Sequence, residues 1–381
     1  MTGWQRISAW ALCGLLVLPG AAAVSASPYS DFTAAIAARN SNDCTAAIGD
    51  FTSALASPDL LPGLRAVGLF GRGTCYEHER NLTAALADFT ASIALKPDYY
   101  DAHLERGKCF AILRRYSEAE GDFKELIRIR SDLTAGYAAL GTLYDIEKEY
   151  DAAIEQYSAL IRAGTNDYAG YLMRTREYVA KGDLDRALND ADKLVNLMPE
   201  KPAGHGMRAW VYNLRGDYPR ALTDVEASLR IDPTDSNEVR EKGVLLWKME
   251  RYSDASNTLV VLDMSDGYNV LWLNLSRIAS GVPDPDLADR AAKVDLGKWP
   301  GPLIRLYMGQ ATPDAVMQAV VADGVDNSER DQCEAPFYLG EWQLQHQNKD
   351  AARALLQKAV AVCPVDYIER SAAAVELKRL K

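Results

Sequence analysis

Small and apolar residues recur along this chain with a period much longer than one helical turn. Alanine stands at 85, 119, 153, 187, 221 and 255, every step being 34 residues. An aromatic keeps the same step at Tyr76, Phe110, Tyr144, Tyr178 and Tyr212, with Leu246 in sixth place. Gly73, Gly107, Gly141 and Gly243 share another position of the frame, with Thr175 and Ala209 between them. Pro97, Pro199 and Pro233 close three of the units. The pattern predicts a helix–turn–helix per unit. The glycine or alanine lets two helices approach, the aromatic fills the gap between them, and proline ends the second helix. Short polar runs mark the turns, as at Glu79-Arg80-Asn81, Lys181-Gly182-Asp183 and Arg215-Gly216-Asp217. One helix pair cannot bury its apolar face alone, so the pairs stack.

Units beginning near 66, 100, 134, 168, 202 and 236 resemble tetratricopeptide repeats (TPRs), with Leu69 or Tyr137, Gly73, Tyr76, Ala85, Phe89 and Pro97 on the family pattern. An earlier unit carries Ala47, Phe51 and Ala54 but is offset by four residues, which the loop 57–63 is expected to absorb. A last unit carries Leu339, Gly340, Ala352, Leu356, Ala359 and Pro364. The resemblance implies an all-α, right-handed superhelical solenoid. The expected organisation is a TPR array over 27–280 (about seven repeats and a partial one), an irregular helical insert or decayed repeat over 281–332, and a C-terminal repeat with a capping helix over 333–381. A second pattern supports the frame. Arg72, Arg106, Arg174 and Arg208 are each followed sixteen residues later by aspartate, at 88, 122, 190 and 224, whereas Leu140 is followed by Gln156. This predicts repeated ion pairs between the two helices of one unit.

Prolines at 283, 285, 300, 302 and 313 break the period, although short helices are expected at 286–294, 303–309 and 314–322. Thr312 reads as an N-cap before Pro313. Residues 323–331 read as a polar loop. Asp366 and Glu369 suggest a capping box for a solvent-facing terminal helix over 367–380.

The amino terminus differs in kind. Arg6 is the only charged residue before Asp31, an apolar run covers 9–18, and Val24-Ser25-Ala26 offers a cleavage site. This predicts a secretory signal peptide over 1–26, cut after Ala26, and a periplasmic or secreted product. A retained anchor is the alternative, although the run is short for a membrane span. Leu12 before Cys13 argues against lipid attachment, and no other stretch is apolar enough to cross a bilayer. The formal net charge of −11 argues against a nucleic-acid partner.

Export permits disulfides. In the repeat frame, antiparallel packing brings Cys44 to Cys75 and Cys333 to Cys363, so both bridges are expected, with Cys109 a buried thiol. His103 and His205 share a repeat position occupied elsewhere by Leu69, Tyr137 and Tyr171, which makes them packing residues. The sequence contains no H-E-x-x-H, C-x-x-C, phosphate loop, dinucleotide fingerprint or G-x-S-x-G. No catalytic residue, metal site or cofactor is therefore expected, and the expected reading is non-enzymatic. The resemblance implies instead a concave groove lined by the first helix of each unit. There it places Phe70, Leu104, Lys108, Met173, Arg176, Met207, Trp210, Arg240 and Trp247. Family members that clamp a terminal carboxylate use Lys, Asn and Arg at set groove positions. Val67, Gly71, Thr74, Glu105 and Ala139 occupy such positions here, so that clamp is missing. Met, Trp and Phe with scattered Arg suit a peptide or an amphipathic helix. Trp210 and Trp247 read equally well as inter-repeat core. The expected function is a scaffold or adaptor in a bacterial periplasm, monomeric or weakly dimeric, distantly similar to envelope adaptors of the NlpI type. An enzyme or small-molecule binder using 281–332 is the alternative, and a self-assembling structural protein is a third.

Overall fold

The computed structural model describes residues 27–164, 168–282, 284–322 and 325–380. The expected signal peptide and its cleavage point lie outside the described residues. All regular structure among the described residues is helical. The chain forms two compact units that divide between Ser131 and Asp132.

The first unit holds three helix pairs: α1 (Pro28–Asn40) with α2 (Cys44–Ala56), α3 (Pro62–His78) with α4 (Leu82–Leu95), and α5 (Tyr100–Ile112) with α6 (Tyr116–Ile129). The second unit continues the series. It pairs α7 (Thr134–Ile146) with α8 (Tyr150–Ala163), α9 (Tyr168–Ala180) with α10 (Leu184–Leu197), α11 (Pro202–Leu214) with α12 (Tyr218–Ile231), and α13 (Ser236–Lys248) with α14 (Tyr252–Leu259). Six of the pairs begin within four residues of the position that the period predicts. The four extra residues of the early offset do not all lie in a loop. They add one turn to the front of α3, where Pro62 stands in the first turn without needing an N–H partner.

The turns explain the frame. Arg80, Arg114, Lys148, Gly182, Gly216 and Glu250 all have left-handed backbone, φ between 58° and 77°, at successive steps of the repeat. Gly182 and Gly216 adopt it freely, whereas a side chain there costs about 1 kcal/mol. Asn81, Asp183 and Asp217 then cap the second helices by accepting from the backbone N–H three residues on.

The glycine position shows why helices can pair so closely. A methyl group added at Gly73, Gly107 or Gly141 would lie 2.7, 2.5 or 2.6 Å from the ring of Phe89, Phe123 or Tyr157, each sixteen residues on. Where the first residue is Thr175 or Ala209, the facing residue shrinks to Ala191 or Val225. The summed volume across the pair is roughly conserved, as close packing demands. The aromatic that fills the gap is thus on the second helix. The aromatic series Tyr76, Phe110, Tyr178 and Tyr212 serves as a face for arginine, with Arg115 4.5 Å from the ring centre of Phe110 and Arg220 4.7 Å from that of Tyr212.

Beyond α14 the second unit closes on itself through α15 (Gly267–Ala279), α16 (Leu287–Ala291), α17 (Gly301–Tyr307), α18 (Pro313–Ala322), α19 (Val325–Gln345), α20 (Lys349–Val362) and α21 (Ile368–Arg379). Thr312 does cap α18, its hydroxyl accepting from Ala315 N–H at 3.2 Å. The expected polar loop over 323–331 is replaced from Val325 onward by helix, so Cys333 lies within α19 rather than at its start. The capping box at Asp366 is not formed. The N-cap is Tyr367, whose side chain does not cap the helix, and Glu369 turns inward to accept from Tyr338 Oη at 3.1 Å. Nor is α21 a solvating cap, because Ala372, Ala373, Val375, Glu369 and Glu376 are all buried.

Candidate protein-binding face

The predicted ion pairs form as two-pronged forks. Arg72, Arg106, Arg174 and Arg208 each donate Nε and Nη2 to one aspartate, at 2.7–2.8 Å, on Asp88, Asp122, Asp190 and Asp224. The third nitrogen of each reaches the preceding repeat, at Thr52, Thr90, Ser158 and Asp192. The guanidinium therefore ties repeat to repeat as well as helix to helix, and its planar fork suits both tasks. The histidines share in this. His103 Nδ1 lies 2.8 Å from Asp122 Oδ1 and its Nε2 lies 3.0 Å from the Pro97 carbonyl. Both partners are acceptors, so only the doubly protonated ring satisfies them. Burial opposes that charge, but the two hydrogen bonds and the Asp122 carboxylate raise the pKa of His103 overall. His205 repeats the arrangement with Asp224 and the Pro199 carbonyl.

The expected groove residues separate into three groups. In the first unit, Phe70 is half-buried between Phe89 and Tyr99, with ring centres 5.9 and 5.1 Å away. Leu104 is half-buried, and Lys108 is exposed and paired with Glu105 at 3.0 Å. On α9 and α11, Met173, Met207 and Trp210 are half-buried and Arg176 is exposed. On α13 the expectation fails. Trp247 is 1% exposed, enclosed by Trp272, Phe337 and Tyr252 with ring centres 5.6–6.3 Å away. Arg240 is bound to Asp266 at 2.5 Å and to Asn269 at 2.7 Å. The reason is that the chain's own closing helices lie on this stretch. Lys248 of α13 donates to Ser371 of α21 at 2.7 Å and to Asn213 of α11 at 3.0 Å, and Arg379 donates to the Lys248 carbonyl at 2.7 Å. Burial lowers the pKa of Lys248 to about 8, against the pull of Glu241 and Glu369.

What remains open in the second unit is the first-helix face of α7, α9 and α11. A cleft of about 280 Å³ lies there, with Trp210 and Arg176 on its wall. Asp145, Tyr150 and Glu177 join them, and the turn Pro364-Val365-Asp366 forms the far side. A second cleft of about 310 Å³ shares Val179 and Val365 with it and runs on beside Arg370 and Lys378 of α21. Glu177, on the wall of the first cleft, is not among the groove residues expected from the sequence. Its register carries a signal: the matching positions are Cys75, Cys109, Leu143, Val211 and Leu245, all apolar and buried.

The insert, by contrast, packs as core. Leu287, Ala291, Leu303, Ile304, Leu306, Val316 and Val320 are buried, and Asp284 is held by Arg277 and Arg290. Among the described residues no three His, Cys, Asp or Glu side chains stand together as a metal site would require. No helix among them is long and apolar enough to cross a membrane.

Of the two expected disulfides one is present. Cys333 and Cys363 are bonded, closing 30 residues, which contributes about 3–4 kcal/mol in the chain-entropy model. Cys44 and Cys75 are both thiols. Both pack in one buried apolar cluster, and burial pushes Cys75 up to about 12. Cys109 is likewise a buried thiol raised to about 12 by burial.

A family model described as tetratricopeptide repeat matches residues 32–99, 80–133 and 172–236. Among solved structures, a tetratricopeptide repeat protein from Parabacteroides merdae is 16% identical, over 65% of this chain and 98% of that one, with a TM-score of 0.49. YrrB, described as a TPR protein with an unusual peptide-binding site, is 18% identical over 50% of this chain and 97% of that one, TM-score 0.40. The C-terminal part of a TPR repeat-containing protein from Cytophaga hutchinsonii is 16% identical over 77% and 95%, TM-score 0.41. With the 34-residue frame, the stacked helix pairs and the family match in agreement, this chain is a tetratricopeptide-repeat protein.

Proposed function

We propose that this protein is an exported, non-enzymatic scaffold that binds a peptide or helical segment of another protein on the open face of α7, α9 and α11. The observation that carries the reading is the half-buried Trp210 beside exposed Arg176 in a cleft that the chain's own closing helices leave uncovered. Half-exposed aromatics and arginine are the residue types that dominate binding energy at protein interfaces. The stacked array also gives such a cleft a rigid wall, which limits the ordering lost on binding. The tetratricopeptide architecture supports a protein partner. Export to the periplasm rests on Arg6, the apolar run 9–18 and the small residues ending at Ala26. Sequencing the amino terminus of the exported protein should give Ser27 as its first residue.

The binding face is tested by photo-cross-linking in the source cell. A benzoylphenylalanine at Ala180, an exposed residue on the cleft wall, should trap one defined partner, and Trp210→Ala should abolish the adduct. The same probe at Lys193, exposed on the second-helix side, should trap none. Equal adducts from both positions would remove the claim for this face.

A further inference from the structure

Glu177 breaks the register of the array. At the same position in five other repeats stand Cys75, Cys109, Leu143, Val211 and Leu245, each at most 1% exposed. Glu177 is 3% exposed, lines the cleft beside Trp210, and its Oε2 has no hydrogen-bond partner. A carboxyl group at a core position is expensive unless something satisfies it. Replacing the usual apolar residue by glutamate therefore points to a ligand that completes the site.

The surroundings say what kind of ligand. Asp145 and Asp366 stand with Glu177 around the cleft, against the single guanidinium of Arg176. Ionised, the cleft is net negative. Arg176 is exposed and, among the described residues, forms no ion pair with Glu177. Trp210 and Tyr150 supply aromatic surface in the same space. The volume of about 280 Å³ is below that of most cofactor sites and suits one side chain.

We propose that this cleft receives one basic side chain of the partner protein, an arginine in preference to a lysine, with Glu177 as its ion-pair acceptor and Trp210 as its stacking surface. The proposal rests on the partner docking on this face. Guanidinium is preferred because its plane can fork onto a carboxylate and lie against an indole together, which a compact ammonium cannot.

Burial, then the charge of Asp145, raises Glu177 to about 7, with Arg176 opposing. The other groups around it are Tyr150, Asp366 and Tyr157 of α8, the last raised to about 12 by burial and so neutral. The carboxyl must lose its proton to pair with an incoming cation, so binding weakens as the pH falls below neutral.

The test uses the purified protein, the tripeptide Ac-Gly-Arg-Gly-NH2, and its neutral isostere with citrulline in place of arginine. Binding is read from the indole N–H resonance of Trp210, assigned by its loss in Trp210→Phe. The arginine peptide should give a saturable shift. Citrulline should bind at least tenfold more weakly, and binding at pH 6 should be about tenfold weaker than at pH 8, as a group titrating near 7 requires. Glu177→Gln should cost at least tenfold while melting like the wild type, since no bond to Oε2 is lost. Arg176→Gln, which removes the competing cation, should tighten binding and stands as a second variant should Glu177→Gln misfold. Equal affinity for the two peptides, no saturable shift from either, or indifference to Glu177→Gln would overturn the proposal. It fails separately from the scaffold reading. Cross-links from Ala180 that persist undiminished in Glu177→Gln would sink the cation site and leave the scaffold. Peptide binding without any cross-linked partner would do the reverse.

Discussion

The repeats α9–α12 and the closing helices α15–α21 bury charge in different ways. In the repeats, Arg174 and Arg208 arrive with their aspartates sixteen residues on, and each fork is completed within two adjacent repeats. In the closing region Asp284 is still held locally by Arg277 and Arg290, but other buried ionisable groups find partners far along the sequence or none. Lys248 finds Ser371 123 residues away, Glu369 finds the Tyr338 hydroxyl, and Glu341 keeps an unpartnered Oε1. A periodic chain supplies each buried charge with a partner at a fixed offset, so its pairing is local and repeatable. The closing helices depend on distant contacts, and they consume the stretch of α13 that would otherwise lie open. The face they leave uncovered is that of α7, α9 and α11.

The largest expected effect separates core from cleft. Trp247→Ala should lower unfolding free energy by about 4 kcal/mol in urea titrations, as large aromatic truncations in a core do. Trp210→Ala should lower it by less than about 1 kcal/mol. Similar values for the two would erase the distinction between filled and open faces. Next in size is the fork. Arg174→Leu leaves Asp190 buried without its cation and should cost about 3 kcal/mol. The double change Arg174→Leu with Asp190→Gln copies the Leu140 and Gln156 of the neighbouring repeat and should recover most of that loss. A double variant as unstable as the single one would mean that the neutral pair is not portable between repeats.

The third effect is pH dependence, which should come mainly from groups outside the arginine forks. Burial raises Glu177 and Glu238 to about 7, and raises Glu341, Glu369 and Glu376 as well. A carboxyl raised on folding binds its proton more tightly when folded, so its contribution is present below the unfolded pKa and lost as pH rises through the folded one. His103, raised by its two acceptors, acts in the same direction. Unfolding free energy should therefore fall by about 2 kcal/mol between pH 5 and pH 7.5, and Glu341→Gln should flatten the profile. A profile that rises over this range would contradict the burial of these groups. The smallest effect concerns the turns. Lys148→Gly relieves left-handed backbone that Gly182 and Gly216 already accommodate, and should add up to about 1 kcal/mol.

Particular residues show how far the sequence could be read. The frame placed α3 to α14, and the sixteen-residue spacing identified all four forks, because both are set by contacts inside one unit or with the next. The glycine series could have revealed its facing partners too, since Phe89, Phe123 and Tyr157 sit opposite glycine and Ala191 opposite threonine. Glu177 was legible in the same way, as a charge at an apolar position, but a glutamate on a helix reads as solvated until its register is compared. Trp247 could not be assigned, because only α15, α19 and α21 decide that it is covered. The capping box at Asp366 misled for a related reason. Burying Glu369 against Tyr338 takes the side chain that the box would have used.

Amide hydrogen exchange on α21 tests the account most directly. If this helix closes the array over α13, residues 368–379 should exchange as slowly as 236–248, and Trp247→Ala should speed both together. Rapid exchange across α21 in the wild type, with α13 still protected, would contradict the account and reopen the whole first-helix face of the second unit to partners.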